Sequence, residues 1–115
     1  MSEFEEFQDE FTKWQKLFGL TGYKVYFKHE SISSFANITV NQTDMVATVR
    51  LNSRCPKKDK EHRDVKQSAK HEAIHLLLFK LEHCAYSRYV CEEEIYEATE
   101  ELVFKLEGLI KDGSP

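Results

Sequence analysis

The sequence predicts a small α+β domain, its elements ordered α-β-β-β-α-α around one three-stranded antiparallel or mixed sheet. Three observations carry that expectation. Apolar residues recur at spacings of three and four near both ends of the chain, and the middle switches to a period of two. At 115 residues the chain suits one core and not two. Eight Phe, five Tyr and one Trp, within 41% hydrophobic residues, supply that core and exclude a chain disordered throughout.

The elements follow in order. Phe4, Phe7, Phe11, Trp14 and Phe18 share one helical face, a stripe that packs on a domain core and is too short for a coiled coil. Ser2 and Glu5 have capping-box spacing, and Gly19 supplies a stop. Residues 23–28 are aromatic and β-branched and read as a first strand. Residues 35–40 and 45–51 read as two more, joined into a hairpin by the turn chemistry of Asn41, Gln42, Thr43 and Asp44. Met45, Ala47, Val49 and Leu51 alternate with Val46, Thr48 and Arg50, so the third strand is expected at or near a sheet edge. Residues 53–64 form a charged loop. From residue 65 to about 83 the chain is apolar nearly all round, which predicts a buried helix. Ile95, Ala98, Leu102, Leu106 and Leu109 stripe a last helix, from about 92 to 111.

Charge and composition exclude some function classes. The net charge is −4 and the pI about 5.7. Lys57, Lys58, Lys60 and Arg63 interleave with Asp59, Glu61 and Asp64, so no focused basic field exists for nucleic acid or an anionic membrane. The apolar run 76–79 is far below the ~20 residues of a membrane span. The first residues are acidic where a targeting peptide is basic, and Cys55, Cys84 and Cys91 form an odd set. The expectation is a soluble, reduced, cytoplasmic protein of open oligomeric state.

The chemistry sits in the buried-helix segment, where His71-Glu72-Ala73-Ile74-His75 forms an H-E-x-x-H motif. Residues four apart lie one turn apart on one helix face, so both imidazoles can reach one ion. Glu72, about 100° round, is placed to act on water at the metal as a base. Zinc suits two imidazoles and a carboxylate with one position open for water. Leu81 stands where the extended metzincin pattern has its third His. The acidic start of the last helix offers Glu92, Glu93, Glu94 and Glu97 instead. Counting 100° per residue from Glu94, the apolar stripe begins near 40°, so Glu94 borders the core and is the expected third ligand. Glu97 and Glu93 stand behind it, and Glu92 borders the far side. A closed structural site of His71, His75, Cys84 and Cys91 is a rival that leaves Glu72 unexplained. His83, Tyr86, Arg88, Tyr89 and Tyr96 are candidates to stabilise an oxyanion.

The run from His71 to Leu78, followed by the acidic last helix, resembles a minimal zincin metallopeptidase. It is similar in kind to small metallopeptidases encoded by phages, and more distantly to SprT-like and ImmA/IrrE-like domains. The run from Trp14 to Val25 is also similar to the helix-to-strand start of such proteins. The resemblance implies a zincin-like fold in which His71 and His75 bind zinc, Glu72 is the general base, and a carboxylate on the next helix completes the site. It implies zinc-assisted hydrolysis of a peptide or protein substrate, in a host cytoplasm if the protein is phage-encoded. An extended substrate is expected to pair with the edge of strand 45–51. The alternative is a non-catalytic zinc-binding module, or a metal-free interaction module with both histidines packed in the core.

Overall fold

The structure, a computed structural model, describes residues 2–54 and 64–109. Its elements are α1 (Glu3–Leu17), β1 (Lys24–Glu30), β2 (Ala36–Asn41), β3 (Val46–Asn52), α2 (Val65–Tyr86) and α3 (Glu92–Leu109). This is the α-β-β-β-α-α order, with a mixed sheet. Residues 55–63, with Cys55 and most of the charged loop, and residues 110–115 lie outside the described residues.

Each end of α1 is fixed by its own sequence. The Ser2 hydroxyl accepts the Glu5 amide at 3.1 Å. At the C-terminus the amides of Gly19 and Leu20 donate to the carbonyls of Lys16 and Gln15, at 3.0 and 2.9 Å. This doubly bonded exit needs a left-handed residue, and Gly19 supplies it at φ 69°. The aromatic stripe behaves as its spacing requires. Phe7, Phe11 and Phe18 are buried, while Phe4 and Trp14 pack at the margin.

The strand order is β1-β3-β2, with β1 parallel and β2 antiparallel to β3. The expected β2–β3 hairpin is present. Asn41 closes its turn by accepting the Asp44 amide at 3.2 Å, and Met45 takes φ 56°. β3 is therefore the central strand, not an edge. Alternation reports which face of a strand is buried and carries no information about which edges are paired. The register explains the pattern. Rows Val25–Ala47–Val40, Phe27–Val49–Ile38 and His29–Leu51–Ala36 face the helices, and Ala47, Val49 and Leu51 are 0% exposed. The alternate rows, such as Tyr26–Thr48–Thr39 and Lys28–Arg50–Asn37, lie on the open face. There Arg50 binds Glu30, Asn37 and Thr39 across all three strands.

α1 and α2 cover the inner face together. Phe7 and Phe11 meet the ring of Phe27 edge-on, at 6.4 and 5.6 Å between centroids. Val65, Ala69, Ala73, Leu76 and Leu77 complete the core from α2. The small side chains at 69 and 73 let α2 approach closely. The expectation that α2 is buried all round is corrected: Ile74 and Leu78 are 37% and 39% exposed. Their composition is that of a buried helix, but among the described residues only one side of α2 is covered. Two buried polar groups hold the connections. Gln15 donates to the carbonyls of Leu20 and Tyr23, and Asn52 accepts the amides of Ile32 and Arg54.

Candidate functional site

α2 begins at Asp64, whose carboxylate accepts the Gln67 amide at 3.0 Å as an N-cap. From that start His71 and His75 fall on the outward side of the helix, where Ile74 and Leu78 also lie, while Glu72 turns inward. Both imidazoles are exposed; the core-packed histidines of the metal-free alternative do not occur. Glu72 is 6% exposed.

The two Nε2 atoms lie 3.2 Å apart. Two imidazole nitrogens bound to one zinc, each ~2.05 Å away at a near-tetrahedral angle, stand about 3.3 Å apart. By separation alone, the pair is compatible with one shared ion. Without an ion, one ring must donate its Nε2 proton to the other.

Burial pushes the Glu72 carboxyl above its ordinary range, and the nearby His71 and His75 pull it back down in part. His71 and Glu72 line a cleft of about 330 Å³ with Asp64, Gln67, Ser68, Phe35 and Ala36. It lies between the first turns of α2 and the start of β2, an outer strand of the sheet. A carboxylate with raised proton affinity beside two imidazoles, at the mouth of a cleft, is suited to proton transfer.

The remaining sequence-based candidates lie elsewhere. Glu94 is exposed, accepts a contact from the Cys91 thiol at 3.4 Å, and lines a second cavity with Lys80, His83, Cys84 and Glu97. Lys80, His83 and Cys84 stand about 180°, 120° and 220° round α2 from His71, so that cavity is on another flank of the helix. Among the described residues no three His, Cys, Asp or Glu side chains are arranged to hold a metal ion. That covers both the His71–His75–Glu94 set and the set with Cys84 and Cys91. Cys84 is buried and Cys91 exposed, both as thiols. Tyr86 stands exposed at the end of α2, Arg88 and Tyr89 on the α2–α3 connection, and Tyr96 on α3.

Sequence reasoning missed Asp64, Gln67 and Ser68 as cleft residues. Their spacing to His71, by seven, four and three respectively, was the available signal. The chain matches no known family model, no curated protein and no solved structure. No described helix is long and apolar enough to cross a membrane.

Proposed function

We propose that the protein is a zinc-dependent metallopeptidase of zincin-like type. The observation that supports this is the 3.2 Å convergence of the His71 and His75 nitrogens beside the buried carboxyl of Glu72. His71 and His75 would hold the ion, and Glu94 is the proposed third donor. The α2–α3 arrangement described above does not bring it to the pair. A zinc ion so held supplies Lewis-acid activation of water and of a peptide carbonyl. Glu72 takes a proton at its carboxylate and returns it to the leaving amine. Its burial raises its proton affinity, which favours a base that must also hold the proton. With β3 central, the backbone that can pair with an extended substrate beside the cleft is that of β2.

The second reading, a zinc-binding module without catalysis, is favoured by one observation: no third donor converges on the histidines among the described residues. Elemental analysis and a casein-hydrolysis assay separate the two. About one zinc per chain, lost in Glu94→Ala, with hydrolysis lost in a zinc-replete Glu72→Gln, supports the peptidase. A full zinc complement without hydrolysis by the wild type leaves the binding module. A folded, zinc-supplemented wild type that holds no metal overturns both.

A further inference from the structure

α3 carries more apolar surface than its place in the fold covers. Its inward side holds Ala98, Leu102 and Leu109, of which Ala98 alone is fully buried. A second apolar strip runs about 100° to 200° round from Glu94, made by Ile95, Tyr96, Val103 and Leu106. These are 39%, 67%, 48% and 39% exposed. Thr99 lies within the strip, its hydroxyl turned back onto the Ile95 carbonyl at 2.8 Å. A helix apolar over this much of its circumference is built to be covered on two sides.

Among the described residues of α3, the charges beside the strip have one sign. Glu92 stands at its N-terminal end, and Glu100 and Glu107 run along its outer border. None of the three enters an ion pair among the described residues. The one lysine of described α3, Lys105, points away, its ammonium 3.2 Å from the Gly19 carbonyl. Glu101 is taken by Lys80 at 2.8 Å. An apolar strip bordered by carboxylates repels its own copy, because self-pairing sets the same acidic borders against each other. It also repels an anionic lipid surface. The complement is an apolar strip flanked by lysine or arginine.

We propose that the outer face of α3 docks a basic amphipathic helix of another protein, with Tyr96 and Val103, the most exposed of the four apolar residues, in the contact. The docking needs neither the histidine pair nor a metal.

The test uses the whole chain and a fluorescent 18-residue synthetic peptide of leucine and lysine at helical period, with a leucine–glutamate peptide of the same pattern as control. The lysine peptide is expected to bind at micromolar concentration, and the glutamate peptide at least 30-fold more weakly. Val103→Glu is the deciding variant: it makes α3 more acidic while interrupting the apolar strip. At least tenfold weaker binding supports the proposal. Unchanged or tighter binding overturns it, because charge alone then suffices, and so does no binding of the lysine peptide at 0.5 mM, a concentration about 500 times the Kd expected at the micromolar level. A wild-type dimer in sedimentation that Val103→Glu dissociates overturns it in favour of a second copy. Circular dichroism shows that the variant is folded, and Leu106→Gln repeats the comparison without added charge.

Discussion

Replacing Gln15 with methionine preserves the length and flexibility of the side chain and removes both donors of its amide. In the folded protein that amide is 8% exposed at residue level and bonds the carbonyls of Leu20 at 3.0 Å and Tyr23 at 3.1 Å. These carbonyls belong to the turn that carries the chain from α1 into β1. Leu20 keeps a second partner, the Tyr23 amide at 3.2 Å. At ~1 kcal/mol for each hydrogen bond the substitution costs about 2 kcal/mol. With a urea m-value of ~2 kcal/mol/M, the midpoint falls by about 1 M. Trp14, the neighbouring residue on α1, packs against Phe18 at 5.6 Å and reports unfolding by fluorescence. A midpoint within 0.25 M of wild type at unchanged m would refute the claim that this amide fastens the turn.

Zinc added to the chelator-treated protein at ~100 times its Kd should raise stability by about 2.7 kcal/mol, read as a higher Tm, and His71→Ala and His75→Ala should each remove the response. Equal responses in wild type and both variants would place the ion elsewhere. For Glu72 the folded carboxyl binds its proton more tightly than the unfolded one, whose ordinary value is 4.5. Its contribution to stability therefore falls as pH rises from 4.5 through the folded pKa, and the cost is complete above it. In chelator, Glu72→Gln should accordingly gain stability relative to wild type between pH 4 and pH 8, measured by urea midpoints; a relative loss would contradict the buried-carboxylate assignment. Phe11→Ala removes a ring that is 0% exposed and meets Phe27 edge-on, at a cost of ~3–5 kcal/mol, a large share of the ~5–15 kcal/mol of a small domain, which calorimetry should show as a Tm lower by roughly 10 °C or more. An unchanged Tm in Phe11→Ala would show that α1 is not part of the core.

The features legible in the sequence were those with a period. The stripe from Phe4 to Phe18 placed α1, its cap and its exit, and the alternation from Ala47 to Leu51 placed the buried face of β3. The position of β3 within the sheet was not legible, because pairing on both sides depends on where β1 docks after a crossing connection. Nor was the half-exposure of α2, since Ile74 and Leu78 have the same composition whether or not another element covers them. His71 and His75 converge as a four-residue helical spacing requires, a local matter. Glu94 belongs to a different helix, and phase fixes only the direction around α3, not the place where α3 lies against α2. Gln15 did carry a signal: a polar residue four after Phe11 and three before Phe18, on the face otherwise given to aromatic rings.

The β1-β3-β2 order also governs how the sheet comes into being. β1 and β2 do not pair with each other; each is hydrogen-bonded to β3 alone. During synthesis the two outer strands emerge first, and neither has a partner until Asn52 has left the ribosome. The hairpin of β2 and β3 then closes through a short turn, while Lys24 must find Val46 across a loop of about 20 residues. Removing β3 therefore leaves two separate strands and no smaller sheet, so the whole layer assembles on β3. Mutations at the Asn41–Asp44 turn should act on the folding rate, and mutations in β1 on the rate of unfolding.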